Sequence, residues 1–518
     1  MSALSAGVAR PARAGFVADP AWVLALATLA LHVWANRGYG IFRDELYYIA
    51  CGEHLAWGYV DHPPLVPWLA RLSRAVLGES LLGLRVVPAL AAAATVALTV
   101  TTTRYLGGGR YAAWLAGLAV MAAGLFQALG LLLCTDTLSP LLWLAIAYAV
   151  IRAQRDAAPG WWLAAGTLAG IALLNKYTVA FYLAAVALAL LVTPQRRVLA
   201  TAAPWLGALI ALALAAPNLI WQHVHGWPFL EFAAHVAARK NVALAPHQYL
   251  LGQIRMLDPV TFPVWGAGLV ALAAWRRFAD LRWIAFAWAL VIGAMIALHG
   301  KTYYPGGSYP VLLAAGAVAL EAWVSAGWRA RALRPALAGL VVLGGVAFAP
   351  FSLPVLPVDD FIAYQRWLGE KPRKTEENNP VGALSEYYAD MFGWRAMVDA
   401  VERAYAALPA GERARTVFYG PNYGEAAAVE VLGRAGAVPP VISGHNSYFL
   451  WGPGDGDRTL VLVFERERAV IAPYCDGLDP VGWFDDAYAM PFERQKTLWL
   501  CTLNQPVSRL WAKAKHFD

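Results

Sequence analysis

Four carboxylates stand where a membrane chain would not carry them without use. Asp44 and Glu45 come just past an apolar run at 20–36. Asp61 is followed at once by His62, Pro63 and Pro64, and Asp136 sits in the string LCTDTLSP between two further apolar runs. Charge at such depth is costly and tends to be functional. Asp44 and Glu45 also fit a second role. A helix over 44–57 would place both in its first turn, where the dipole favours carboxylates and where they would act as caps. The prolines stiffen the chain and hold Asp61 and His62 in place. Cations stand at the same level. Lys176 interrupts an apolar stretch in NKYT, either snorkelling from a tight outer turn or facing an anionic headgroup. Lys301 and Tyr303 repeat the pattern in HGKTYYPGGSYP. Arg255 belongs to a basic loop, 218–258, with His223, His225, Arg239 and Lys240, which attraction to anionic lipid explains equally well.

These residues need a membrane frame. The chain is 59% hydrophobic and 14% charged, against about 25% charge in soluble domains. The formal charge of +7 comes without a basic stripe interleaved with aromatics, so nucleic acid is not expected as a partner. The 23 Trp suit interfacial belts. Apolar runs lie near 20–36, 82–103, 111–133, 138–151, 160–175, 177–193, 198–217, 259–275, 283–299, 309–324 and 335–351. That predicts a polytopic α-helical membrane protein of about eleven transmembrane helices. Arg104, Arg110, Arg152, Arg155, Arg196, Arg197, Arg276, Arg277 and Arg282 fall in alternate connections. With Arg10 and Arg13 they put the N-terminus in the cytoplasm, on an uncleaved first span, and everything after Phe351 outside. The carboxylates and lysines above then share the outer side. Leu65–Leu77 reads as an amphipathic helix lying in the interface.

The division expected is a membrane domain at 1–351, with interfacial helices in its first outer loop at 37–81, and a small α/β domain at 352–518. In the latter, charges such as Glu376, Glu377, Asp390 and Glu402 return. Segments 415–420, 439–444, 459–465 and 497–503 read as strands, and 397–408 and 423–434 as amphipathic helices. The polar stretch 371–380 is the one linker-like segment. None of the four cysteines forms a CxxC pair, so a zinc ribbon is unsupported. Cys475 and Cys501 lie in the outer tail, where disulfides are permitted, and the 25 residues between them can fold back. A Cys475–Cys501 bond is expected, with two buried free thiols as the alternative. No bond is expected between Cys51 and Cys134.

The strings RDELYYIACGEHLAWGYVDHPPL, TDT, LLNKYT, GKTYYPGGSYPVLLAAGA and SGHNSYFLWGP resemble bacterial membrane glycosyltransferases related to dolichyl-phosphate-mannose protein mannosyltransferases, within the C-type glycosyltransferase superfamily. The resemblance implies a polyprenyl-phosphate-linked sugar as donor and a hydroxyl acceptor on lipid, glycan or protein. It implies inverting transfer on the periplasmic face of the bacterial inner membrane, in membrane lipid. It makes Asp44 the base, with Glu45 or Asp136 orienting it or the acceptor. Asp61 and His62 match the family's acidic-basic pair before Pro-Pro-Leu, a place where relatives often have lysine. Lys176, Arg255, Lys301, Tyr303 and His62 become candidates to hold phosphate. Asn422, Glu425, His445 and Asn446, in loops placed above the site, become candidates to read the acceptor or to hold the tail together. No cofactor is certain. A divalent metal on Asp61 with His223 or His225 stays open, though the spacing shows no motif.

Two other classes share part of this pattern. A lipid-linked substrate transporter or flippase would have mid-span charges and paired broken helices in two repeats. A non-catalytic envelope-assembly protein would need no acidic pair in the first outer loop. Here the charges gather at the outer ends and no repeat is visible.

Overall fold

The structure is a computed structural model and describes residues 19–324, 327–372 and 379–518. Arg10 and Arg13, which carry the expectation of a cytoplasmic N-terminus, lie outside the described residues, as do Glu376 and Glu377 of the polar stretch.

The membrane part is built of helices α1 (Pro20–Ala35), α2 (Arg43–Glu53), α3 (Leu65–Leu77), α4 (Leu81–Tyr105), α5 (Arg110–Ala122), α6 (Gly124–Leu131), α7 (Ser139–Arg155), α8 (Gly160–Asn175), α9 (Val179–Val192), α10 (Ala202–Val224), α11 (Pro228–Arg239), α12 (Pro246–Met256), α13 (Phe262–Ala274), α14 (Arg282–Ala297), α15 (Tyr309–Trp323) and α16 (Gly327–Phe348). Among the described residues, four helical stretches are long and apolar enough to cross a bilayer: Leu81–Tyr105, Ala202–Val224, Arg276–Ala297 and Arg331–Phe351. Three bent pairs raise this to seven if each is one span. The expected eleven is not reached because other apolar runs fold as short helices. The 16-residue α1 and α8 are about 24 Å long at 1.5 Å per residue, short of about 30 Å of hydrocarbon. The run at 111–133 breaks at Ala123, whose extended backbone turns α6 by 64° from α5.

Small residues set the closest approaches. Gly166 of α8 lies against Gly207 of α10, and Gly268 of α13 against Gly316 of α15. A Cβ at any of the four would run into the facing backbone, as expected where helices associate by close packing in lipid. On α3, Leu72, Val76 and Leu77 are exposed while Val66, Ala70 and Ser73 are buried, the two-faced pattern of a helix in the interface.

The tail carries a five-stranded sheet in the order β2-β1-β3-β5-β4. The strands are β1 (Thr416–Tyr419), β2 (Val441–Ile442), β3 (Leu460–Glu465), β4 (Cys475–Phe484) and β5 (Lys496–Leu503). β1 pairs in parallel with β2 and β3, and β5 runs antiparallel to β3 and β4. Four strands fall on the expected segments. β4 was not expected: it holds Pro480 and two glycines and pairs through two irregularities, which an edge strand tolerates. Helices Trp394–Ala407 and Tyr423–Leu432 cover the sheet. Cys475 and Cys501 are disulfide-bonded across β4 and β5, while Cys51 and Cys134 are free.

The tail and the segment 37–81 share one core. Leu46, Tyr47 and Ala50 of α2 are buried in the same cluster as Phe418, Ala426 and Leu462 of the tail. Tyr388 of the tail also donates its hydroxyl to the Pro350 carbonyl at 2.8 Å.

Candidate active site

α2 decides which carboxylates are usable. The Phe42 N–H donates to Glu45 Oε2 at 3.0 Å, so Glu45 caps the helix from its third position. The same side chain takes Arg85 of α4 at 2.7 Å and the Leu133 N–H at 3.1 Å. Glu45 and Arg85 are both fully buried. Of the two roles open to the acidic pair, capping belongs to Glu45, whose carboxylate is sealed.

Asp44 is one residue away and differently placed. About 100° of rotation per residue turns it to another face, where its side chain keeps 30% of its exposure. Tyr423, in the first turn of the tail helix Tyr423–Leu432, donates its hydroxyl to Asp44 Oδ1 at 2.7 Å. Arg43 lies 3.7 Å from the same oxygen and 3.4 Å from Asp390, a buried tail carboxylate. Burial pushes Asp390 well above the usual carboxylate range, against the pull of Arg43.

Asp61 accepts from the Tyr47 hydroxyl at 2.9 Å, and burial raises it above the usual range. Tyr48 sits among these groups: burial, Asp44, Cys134 and Asp61 all push its phenol far up. His62 is sealed beneath them. Its Nδ1 meets the Pro63 carbonyl at 2.9 Å, and it sits against Tyr47, Tyr48 and Tyr59. At 2% exposure it does not present itself to a phosphate.

Beyond Cys134 lies a cationic corner. α8 ends where Lys176 turns to extended backbone, and Asn175 donates to the Thr135 carbonyl at 2.7 Å. That brings Lys176 onto the Asp136 carboxylate as an ion pair. Asp136 therefore holds the lysine. Lys176 also stands 4.7 Å from the Tyr304 ring and 5.4 Å from Tyr303, while Lys301 stands 5.9 Å from Tyr303. α12 steadies this loop: Tyr249 donates to the Lys301 carbonyl at 3.1 Å and Gln253 to that of Thr302 at 2.9 Å. Arg255 is exposed on the last turn of α12.

The tail residues singled out from sequence lie behind this rim. His445 is buried. Its Nδ1 accepts the Tyr423 N–H at 3.2 Å, and its Nε2 donates to the Asp518 carbonyl at 2.8 Å. Burial and His516 hold it well below the usual imidazole range, so it is neutral and brings no charge to a phosphate. Asn446 is 1% exposed, in left-handed backbone with φ of 48°. Asn422 caps the Tyr423 helix by accepting the Glu425 N–H at 3.0 Å, and Glu425 is sealed against Lys496. None of the four faces the rim.

For a metal, Asp61 is not gathered with His223 or His225, whose rings pack on Trp227 and Trp221. Among the described residues the one set close enough is His445, His516 and Asp518. It does not fit as it stands: with Nδ1 accepting a backbone N–H, Nε2 carries the proton and has no lone pair for an ion.

Sequence reasoning missed Arg43, Arg85, Tyr47 and Tyr423. Arg85 had a signal, as a lone cation just inside the apolar run at 82–103. Tyr423 had none, because its partner is 379 residues away.

A groove of about 430 Å³ is lined by Glu53, His54, Tyr59, Trp221, Ser447 and Trp451 among others. His54 stacks on Trp451 at 4.1 Å and pairs with Glu430 at 3.5 Å.

A half-open carboxylate at Asp44 and an ion pair of Lys176 with Asp136 thus stand in one multi-span helical chain. Residues 61–221 match the family model of the dolichyl-phosphate-mannose-protein mannosyltransferases. The match includes Asp61, Asp136 and Lys176 and begins after Asp44. The resemblance drawn from the motifs, to mannosyltransferase-like C-type glycosyltransferases, is thereby borne out. The chain is similar in structure to ArnT from Cupriavidus metallidurans bound to undecaprenyl phosphate, at 15% identity and a TM-score of 0.57 over 92% of this chain and 97% of that one. The apo form of the same protein gives 16% and 0.59 over the same shares. An oligosaccharyltransferase of Archaeoglobus fulgidus, in complex with Zn and sulfate, gives 15% and 0.50 over 96% and 76%. These likenesses show a shared fold, that of polytopic helical membrane proteins. In sequence, the chain is 26% identical over 231 residues to a lipid A galacturonosyltransferase, RgtD, of Rhizobium johnstonii. That match covers 43% of this chain and 47% of the relative, so the chain spans about half the length of the curated relative it matches.

Proposed function

We propose that the protein is an inverting glycosyltransferase of the bacterial inner membrane. It moves a sugar from a polyprenyl-phosphate donor to a hydroxyl acceptor on the periplasmic side, with the tail, from about residue 352, standing in the periplasm. The observation that carries this is Asp44: one half-open carboxylate, held by a tyrosine hydroxyl, in a chain that also gathers Lys176 and Lys301 around Tyr303.

In the reaction, the acceptor hydroxyl gives its proton to Asp44 as its oxygen attacks the anomeric carbon. The new C–O bond forms as the bond from that carbon to the phosphate oxygen breaks, with inversion. The polyprenyl phosphate leaves with the electron pair. Lys176 and Lys301, backed by Tyr303 and Tyr304, hold its charge, and Arg255 receives it at the exposed edge. Asp136 positions Lys176, and Asp61 orients substrate hydroxyls from beneath. The aromatic and acidic groove beside Tyr59 suits the sugar end of a lipid-borne acceptor. The lipid A acceptor of the galacturonosyltransferase relative and the undecaprenyl phosphate in the ArnT structure support this choice of partners.

The test is transfer by the purified protein in vesicles. The donors are undecaprenyl-phosphate-linked [14C]mannose, [14C]galactose and [14C]galacturonic acid, and extracted envelope lipid is the acceptor. Label on the acceptor lipid, resolved chromatographically from the labelled donor, with free undecaprenyl phosphate as co-product, supports the reading. Movement of intact donor across the vesicle without transfer would replace it with a flippase.

A further inference from the structure

Two tyrosines bracket the candidate carboxylates. Tyr47 of α2 donates to Asp61, and Tyr423 of the tail donates to Asp44. Their rings pack on each other with centroids 4.8 Å apart. Tyr423 is pinned from three further sides. The Arg43 guanidinium lies 5.3 Å over its ring, His445 accepts its backbone N–H, and the Asn422 cap fixes the turn that carries it. Gly424, next along, lies against the Arg43 side chain, so the helix start cannot shift without moving α2. The membrane part alone leaves Asp44 at the first turn of a helix with freedom at χ1 and χ2. The tail removes that freedom.

We propose that Tyr423 is the positioning residue for the Asp44 carboxylate: the tail supplies, through one hydroxyl, the orientation of a base carried by the membrane part. This rests on the reading of Asp44 as the base. Tyr423 engages Oδ1, so the acceptor proton goes to Oδ2. A donated hydrogen bond also makes the carboxylate less basic, which opposes catalysis. The two effects differ in size. Orientation through a charge-assisted hydrogen bond is worth about tenfold or more, whereas a slightly stronger base returns only a few-fold. Positioning wins, and loss of the hydroxyl slows the reaction.

Tyr423→Phe keeps the ring, its packing on Tyr47 and the face offered to Arg43. The expected result is a fall in kcat of about tenfold with the donor KM unchanged. The acid limb of the rate profile moves to higher pH, because the charged carboxylate has lost a donor. The groups facing Asp44 that could also move the limb are Arg43 and Tyr48 of α2, Asp61 of the first outer loop, and Asp390 and Glu386 behind Arg43. All stay in place in this variant. 3-Fluorotyrosine at 423 is a stronger donor of the same shape, and it moves the limb the opposite way. A readout free of turnover comes from infrared titration, in which subtraction of Asp44→Asn isolates one carboxyl band. Its midpoint moves up in Tyr423→Phe and down with fluorotyrosine.

A Tyr423→Phe protein with unaltered kcat, limb and band midpoint overturns the proposal, as does a raised KM with an unmoved limb. If Asp44→Asn itself turns over normally, the base assignment fails and takes this proposal with it. If Asp44→Asn is inactive while Tyr423→Phe is unchanged, the base stands and the positioning role alone falls.

Discussion

The two faces of α2 place the same chemical group in opposite situations. Toward the membrane helices, Glu45 is closed in by Arg85, by its own helix start and by the Leu133 N–H, with no exposure left. Toward the tail, Asp44 keeps 30% exposure, and its recorded partners are a tyrosine hydroxyl and a distant guanidinium. A carboxylate with its charge matched and its lone pairs filled is a structural part, whereas one held by a single neutral donor keeps a lone pair for a proton. On the proposed reading of Asp44 as the base, adjacent positions on one helix split a sequence motif into a fastener and a reagent.

Exchanging the chemistry of the two positions breaks the comparison if it is wrong. Asp44→Asn is nearly isosteric and leaves the fold intact, but removes the base. Transfer falls by about 10²–10⁴-fold with an unchanged thermal midpoint. Near-normal turnover would leave Asp44 a surface residue. Arg85→Met does the reverse. It strands the Glu45 charge and costs about 3–5 kcal/mol of stability, read as loss of monodisperse protein on heating in detergent. Adding Glu45→Gln to Arg85→Met should recover most of that loss, since no unpaired charge remains. A double variant as weak as the single would show that Arg85 matters for its size or for its bond to the Gly40 carbonyl.

Much of this arrangement was legible in the sequence. The acidic pair, Asp61, Asp136 and Lys176 all stand out because charge is rare beside apolar runs, and the structure brings Asp136 and Lys176 into one ion pair. Four of five strands were visible as apolar runs bounded by turns. β4 was not, because an edge strand with Pro480 and bulges breaks the alternation. The division of labour between Asp44 and Glu45 was also hidden. It depends on Arg85 and Tyr423, which are 40 and 379 residues from their partners, and sequence spacing says nothing about such pairs. Histidines read as open to substrate proved sealed for the same reason: burial comes from elements far away in the chain.

The tail that presents Tyr423 depends in turn on its own fasteners. The Cys475–Cys501 bond closes 26 residues and ties edge strand β4 to β5. Cys501→Ser, with Cys475→Ser to avoid a lone thiol, should cost about 3 kcal/mol in the loop-entropy account. A denaturant titration of the tail's unfolding measures it. Activity should fall less than in Asp44→Asn, because the loss acts on the support and not on the reagent. Loss of transfer without loss of stability would assign the bond another role.

The smallest effect expected is in the tail's own sealed cluster, which is the counterpart of Glu45 and Arg85 with one cation too few. Lys496 lies 2.5 Å from Glu425 and 2.7 Å from Glu493, and all three side chains are nearly or fully buried. Asn422 donates to both carboxylates, at 3.1 and 2.8 Å. One lysine cannot neutralise two acids, so one acid keeps its proton. Burial and the Glu493 charge push Glu425 up to about 8 despite Lys496. Burial works against Glu493 too, but Lys496 and its hydrogen bonds hold it below the usual range. For Glu425 the folded value lies above the ordinary 4.5, so folding takes up a proton. Its contribution to stability is fully present below 4.5 and is lost as pH rises toward about 8. Glu493 has the opposite sign, and its contribution is lost only in acid. The Glu425 contribution to the tail should therefore fall steadily between about pH 4.5 and pH 8 and level off above that. Glu425→Gln keeps the shape and removes the titration. It should flatten the fall of the unfolding midpoint between about pH 5 and pH 8. A variant whose midpoint still falls between about pH 5 and pH 8 like that of the parent protein would show that the proton does not reside on Glu425.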